Sequence, residues 1–278
     1  MARVYDVRVG RFLSVNPLTK KYPELILYQF ASNTSIMAID LDGLEAMIST
    51  YGAGIHIING EIAKSTDESQ FKKESGREVE WGTACQSYSV HTGKLLIKAL
   101  EQVTKDEGSI EYLSIYSHSS NVNVILDNGQ YGNQSFGLKS KWTGYTYTSL
   151  NDVFSDDKIK FTDNALIILA GCNSGSQLMP DRKTKTGNVA SYITSNYGIA
   201  TIGAEGETSP RGENGVRKAD YDYTLYYKNE NGDLMAYSLG KELNKGAINK
   251  AKDIVNKNSE KIRAKQNSDE TKSDETNH

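Results

Sequence analysis

The sequence predicts an α/β fold built on a mostly parallel central sheet, and three stretches carry that prediction. Leu166-Ile167-Ile168-Leu169 runs without a polar break into Ala170-Gly171-Cys172-Asn173-Ser174-Gly175. An apolar run of that kind reads as a strand covered on both faces, as parallel sheets require. Tyr112-Leu113-Ser114-Ile115-Tyr116-Ser117-His118-Ser119-Ser120 has the same grammar and ends in a histidine. Gly198-Ile199-Ala200-Thr201-Ile202-Gly203-Ala204 is a third buried run, and helical patterns lie between the runs. Strand, helix and strand therefore recur as in a doubly wound sheet. Open α/β sheets place their ligands outside the carboxyl ends of their strands. Neighbouring strands ending in His118 and Cys172 would bring an imidazole and a thiol to one edge, as a cysteine nucleophile needs.

The bulk numbers narrow the classes. The chain has 278 residues and a formal charge of −3, which suits one good-sized domain with appendages and argues against a broad basic nucleic-acid surface. The two cysteines, Cys85 and Cys172, form no disulfide framework or zinc motif, and His56, His91, His118 and His278 are too scattered for a metal set. No metal or cofactor is expected. The start has no apolar core of a secretory signal, and no apolar run is long enough to span a membrane. Seventeen tyrosines against six phenylalanines suggest many half-exposed aromatic positions.

In chain order, Tyr5-Asp6-Val7-Arg8-Val9-Gly10-Arg11-Phe12-Leu13-Ser14-Val15-Asn16-Pro17-Leu18 leads to Tyr28-Gln29-Phe30-Ala31-Ser32-Asn33-Thr34-Ser35-Ile36 and then Ile39-Asp40-Leu41-Asp42-Gly43-Leu44. Physically these are short strands, a proline-bounded turn and an Asp-Gly turn. The segment closely resembles the end of the RHS-repeat-associated core of large bacterial polymorphic toxins, with Asn16 at a usual Asp and Leu41 at the usual Pro of Asp-Pro-x-Gly-Leu. The resemblance covers about the first sixth of the chain. It implies a short β-rich core remnant over residues 1–45, a variable effector after it, and self-cleavage after Leu44. The plainer alternative is a leftover module capping the C-terminal domain.

From Ala46 the composition changes, and an effector domain is expected over 46–257. Ile55 to Gly60 reads as strand and turn. Thr66 to Glu80 is charged, without apolar periodicity, and reads as a loop or short exposed helix. Val90 to Val103 carries Leu95, Leu96, Ala99, Leu100 and Val103 on one helical face, and Gly108 stops the helix. Val122 to Leu126 is a short strand before an Asn128-Gly129 turn. Gly129 to Thr148 reads as an ordered excursion, Leu150 to Phe154 as a helical turn, and Met179 to Thr186 as a loop. Asn188 caps a helix through Asn196. Tyr223 to Leu239 is a hairpin turning at Asn231-Gly232, and Gly246 to Val255 is amphipathic. Residues 258–278 are polar, with the composition of a disordered or ragged end.

The two strand ends, Leu113 to His118 and Leu166 to Gly175, resemble those of caspase-like (clan CD) cysteine peptidases of the gingipain and CHAT type. In that family an apolar run ends in His-Gly, and an adjacent one in Ala/Gly-Cys-Asn-Ser/Thr-Gly. The resemblance implies a caspase-like three-layer sandwich, Cys172 as nucleophile and His118 as general base and acid. The backbone amides of Ser119 and Cys172 would form the oxyanion hole, with Ser119 standing at the family's glycine. A thiol needs a base or cation to become a nucleophile, and histidine suits that task. Glu205 and Glu207, just past the third strand, would receive a basic substrate side chain; the competing reading is a solvated acidic loop. Cys85 reads as buried structure, His91 as a surface or capping residue and His56 as core. The plain alternative for Cys172 is a small buried hydrophobe.

Together the resemblances imply a cysteine endopeptidase effector of an RHS-type toxin. It would be exported within a larger bacterial protein and act on a protein or peptide substrate in a target cell's cytosol, with a cognate immunity protein as partner. Neither nucleic acid nor a membrane span is expected. The competitors are a non-catalytic protein-binding module on the same fold and a toxin of other chemistry, such as a nuclease.

Overall fold

The structure is a computed structural model that describes residues 5–6, 11–12, 45–52, 56–58, 61–63, 66–127, 134–138, 146–176, 187–209 and 216–275. Strands β1 (Tyr5–Asp6) and β2 (Arg11–Phe12) pair antiparallel. The other RHS-like motifs and Leu44 lie outside the described residues. The main domain opens with β3 (Glu45–Tyr51), the hairpin of β4 (His56–Ile58) and β5 (Glu61–Ala63), α1 (Thr66–Trp81), β6 (Gln86–Ser89) and α2 (Gly93–Glu107). Next come β7 (Ser109–Tyr116), β8 (His118–Ser119), β9 (Asn123–Asp127), β10 (Gln134–Gly137), β11 (Thr146–Ser149) and α3 (Leu150–Phe154). The chain then forms β12 (Phe161–Leu169), α4 (Val189–Tyr197), β13 (Ala200–Ala204), β14 (Thr208–Ser209) and β15 (Arg217–Ala219). It closes with β16 (Tyr223–Lys228), β17 (Leu234–Ser238), β18 (Glu242–Leu243) and α5 (Lys245–Glu275).

Seven strands form the central sheet in the order β17-β16-β13-β12-β7-β3-β6. Neighbours from β6 through β13 are parallel, and β16 and β17 run antiparallel at one end. From β3 the chain moves outward to β6, then crosses back to β7 and continues the other way. The strand order thus reverses between β3 and β7, the kind of crevice where such sheets bind ligands.

Alternation along β12 explains the three layers. Ile167 and Leu169 join the core under α2, α3 and α4, while Leu166 and Ile168 join the core under α1 and α5. Successive side chains of a strand point to opposite faces, so a strand clothed on both sides must be apolar throughout. Leu166 to Leu169 are each at most 1% exposed, as the unbroken run predicts.

Several expected elements are present. Thr92 caps α2 and Gly108 ends it at φ 90°. Asn188 caps α4, and the β16–β17 hairpin turns at Gly232 with φ 84°. The excursion after β9 is a second sheet, β11-β10-β9-β8. The Asn128-Gly129 turn and the 179–186 loop lie outside the described residues.

Three expectations are corrected. Thr66 to Glu80 is a full helix, α1, not a loop or an exposed segment: Phe71, Glu74, Ser75 and Glu78 are buried at helical spacing. Its core-facing stripe is mostly polar, which hid the periodicity. Cys85 is exposed, because its turn into β6 holds the chain by a backbone bond to Met47 and leaves the thiol outside. Leu95 is 44% exposed, with Leu96, Leu100 and Val103 forming the buried stripe. In addition, α5 continues past Lys257 to Glu275, where the polar composition suggested an end.

Candidate active site

The site grows from the carboxyl ends of β7 and β12. These strands are parallel neighbours with Leu169 in register with Ile115, and the Ala170 amide donates to the Ile115 carbonyl at 3.0 Å. His118 and Cys172 each lie three residues beyond that last pair, so both leave the sheet at one level. Beyond the ladder the two segments stay in contact. Ser119 Oγ donates to the Cys172 carbonyl at 2.6 Å. A Cβ at Gly171 would lie 2.5 Å from the Ser117 carbonyl oxygen and would also strike Ser119 Oγ. Ser119 is thus accommodated by the missing side chain at Gly171, and its hydroxyl ties the two strand ends together.

Residues 172–176 then form a tight turn. Asn173 has φ 59°, the one non-glycine residue in the left-handed region among the described residues, and asparagine tolerates that region better than most. Ser174 Oγ donates back to the Leu169 carbonyl at 2.7 Å and accepts from the Ala204 amide at 2.9 Å. Gly175 approaches Gly203 so closely that a Cβ on either would strike the other's backbone. The amides of Asn173, Gly175 and Ser176 donate to Gly206, Ala204 and Asn173 respectively. Those three amides are committed to holding the turn and to the end of β13.

The segment after β13 covers the sulfur. The Thr208 amide donates to Cys172 Sγ at 3.3 Å, Thr208 Oγ1 lies 3.6 Å from Sγ, and the thiol can donate to the Thr208 carbonyl at 3.8 Å. Behind Thr208 is Arg217, whose Nη1 donates to Thr208 Oγ1 at 2.7 Å. Its Nε and Nη2 both donate to Glu74 Oε2, at 3.2 and 2.7 Å. The ion pair is buried, with side chains 5% and 2% exposed. Burial works against the guanidinium's charge, and Glu74 more than restores it. Arg217 also lies over the Phe71 ring, 5.1 Å from its centroid, and Phe71 meets the His118 ring edge-on at 5.2 Å. Tyr223 is fully buried, its phenol pushed far up by burial, with Arg217 opposing and Glu74 and Cys172 adding to the rise. Its hydroxyl has no hydrogen-bond partner among the described residues.

Glu205 and Glu207 flank Gly206, which touches the Cys172 turn. The Glu205 carboxylate accepts from Thr224 Oγ1 at 2.8 Å, and Glu207 is exposed. A cleft of about 480 Å³, lined by Phe154, Phe161, Tyr197, Ile199 and Arg263 among others, opens at the amino ends of β12 and β13, opposite the Cys172 edge. Among the described residues no cluster of three His, Cys, Asp or Glu side chains could hold a metal ion, and no helix is long and apolar enough to cross a membrane.

Comparisons of the chain with protein-family models, with curated proteins and with solved structures find no match. The α/β architecture therefore stands on the topology itself. Sequence reasoning reached the two strand ends but missed Phe71, Glu74, Thr208, Arg217 and Tyr223. The 71/74/75/78 spacing in α1 was the available signal; nothing local marks Arg217 as a partner of Glu74.

Proposed function

We propose that the chain is a caspase-like cysteine endopeptidase effector, joined at its amino end to an RHS-core remnant, with Cys172 as nucleophile and His118 as general base and acid. The observation that carries the reading is the register: Leu169 pairs with Ile115, and thiol and imidazole residues follow three positions later on both strands. Further support comes from the seven-stranded sheet with helices on both faces, whose strand order reverses beside β7. In this reading His118 takes the thiol proton as Sγ bonds to the scissile carbonyl carbon. The carbonyl oxygen becomes an oxyanion facing the Ser119 and Cys172 amides. The C–N bond breaks as His118 returns the proton to the leaving amine, and water then releases the acyl group by the same steps. Glu205 and Glu207 remain candidates for a basic substrate side chain. Cleavage after Leu44 would fall immediately before β3, which begins at Glu45.

The substrate is a protein or peptide in a target cell, and an immunity protein is the expected partner of such a toxin. Expressing wild type beside Cys172→Ala in bacterial cells tests this. Wild type should kill and generate new protein N-termini, and the variant should do neither; equal toxicity without new termini overturns the peptidase reading. A second reading, a non-catalytic protein-binding module, is favoured by the engagement of Sγ with Thr208. It predicts target capture that survives Cys172→Ala without any cleavage.

A further inference from the structure

We propose that Arg217, acting through Thr208, is a positioning residue for the Cys172 thiol, an assignment that rests on the nucleophile proposed above. The argument is one of donors and acceptors. A guanidinium has five N–H donors and no acceptor. Its 2.7 Å bond to Thr208 Oγ1 must therefore use an oxygen lone pair and leaves the hydroxyl hydrogen available. Sγ lies 3.6 Å from that oxygen and 3.3 Å from the Thr208 amide nitrogen. One threonine thus offers two donors to the sulfur, and Arg217 orients the hydroxyl.

The arrangement is held from three sides. Thr208 pairs with Ala219, on the same strand as Arg217. Arg217 is in turn held by Leu243 in the ladder with β18, and Glu74 fixes its guanidinium with two bonds to one oxygen. Glu74 and Phe71 lie three residues apart on the buried face of α1. The same guanidinium that reaches the thiol through Thr208 also covers the ring that meets His118. One cation thereby ties α1 to both strand ends. The Tyr223 hydroxyl, buried and without a hydrogen-bond partner among the described residues, lies near enough to Arg217, Glu74 and Cys172 to feel all three.

The consequence is chemical. When the thiol gives up its proton, the negative sulfur accepts from the Thr208 N–H and O–H; when protonated it can donate to the Thr208 carbonyl, 3.8 Å away. Losing the hydroxyl removes a donor from the charged form, and hydrogen bonds to charged groups are the stronger kind.

The test uses the intact chain and iodoacetamide, which alkylates sulfur with loss of iodide, each cysteine being followed by peptide mass. Wild-type Cys172 should label faster than exposed Cys85. Thr208→Val should slow Cys172 labelling about tenfold and leave Cys85 unchanged, and Thr208→Ser should restore the rate. Arg217→Met should slow Cys172 similarly, and a folded Arg217→Met that labels at the wild-type rate overturns the part of Arg217; should that variant fail to fold, Arg217→Lys, which keeps a cation for Glu74 but loses the fork that also reaches Thr208, is read in the same way. Thr208→Val labelling at the wild-type rate, or a folded Thr208→Ser that fails to rescue, overturns the assignment and leaves the peptidase reading standing. Wild-type Cys172 labelling no faster than Cys85 overturns the nucleophile itself, and the assignment with it.

Discussion

Gly171 shows how much a single hydrogen atom can decide. A methyl group there would lie 2.5 Å from the Ser117 backbone oxygen, and a backbone oxygen fixed between two strands does not step aside cheaply. Gly171→Ala should therefore separate the two strand ends. We expect a loss of about 1–3 kcal/mol, as for overfilled cores, measured by urea unfolding, with Cys172 labelling falling toward that of Cys85. Ser119→Ala removes only the tie to the Cys172 carbonyl. It should cost about 1 kcal/mol and keep the fold. Asn173, at φ 59°, is the complementary case: its side chain accepts from Ser176 Oγ at 3.0 Å, so a residue of limited backbone strain also braces the turn.

At the scale of elements, α1 is the informative piece. Its buried Glu78 accepts from Tyr112 and Tyr116 at 3.0 and 2.7 Å and from Ser114. Lys252 of α5 lies over the Tyr112 ring; burial lowers its pKa below the ordinary lysine value, with Glu111 and Glu78 opposing. Burial raises the Glu78 carboxyl above its ordinary 4.5, and its hydroxyl donors only partly offset that. The folded state therefore binds this proton more tightly than the unfolded chain. The stability it contributes is full below pH 4.5 and is lost as pH rises through the raised folded value. Glu78→Gln removes that titration while retaining an oxygen acceptor. Urea midpoints measured across the acid-to-neutral range should show wild type losing ground to Glu78→Gln as pH rises. Parallel curves would mean that folding leaves the affinity of this carboxyl for its proton unchanged, and wild type gaining ground would mean that the fold favours the ionised form.

At the scale of the whole molecule, long-range polar ties join pieces far apart in the chain. Removing only Glu74 or only Arg217 strands a buried charge and should cost about 3–5 kcal/mol. Replacing both with apolar residues should cost much less, a difference that a double-mutant cycle reads directly. The polar end of α5 takes part as well. Asn258 Nδ2 donates to the Lys228 carbonyl at 2.6 Å, and Lys265 donates to Glu230 and Asn231 in the hairpin turn. Ending the chain at Lys257 should thus lower stability by about 2 kcal/mol, whereas ending it at Ser268 should leave the unfolding midpoint nearly unchanged.

What the sequence alone determined were the elements whose partners are apolar or local. The runs ending at His118 and Cys172, the caps at Asn188 and Gly108, and the Asn231-Gly232 turn all announce themselves, because burial on two faces and left-handed backbone each demand particular residue types at short range. Only the tertiary structure decided what depends on distant pairing. Helix α1 looked like a loop because three of its four buried residues among those described, Glu74, Ser75 and Glu78, are polar, and they are buried comfortably only once Arg217 and hydroxyls of β3, β6 and β7 pair with them. The surroundings of the thiol were equally hidden: Thr208 and Arg217 reach Cys172 through hydrogen bonds between segments about 40 residues apart, and such bonds leave no periodic trace in the chain.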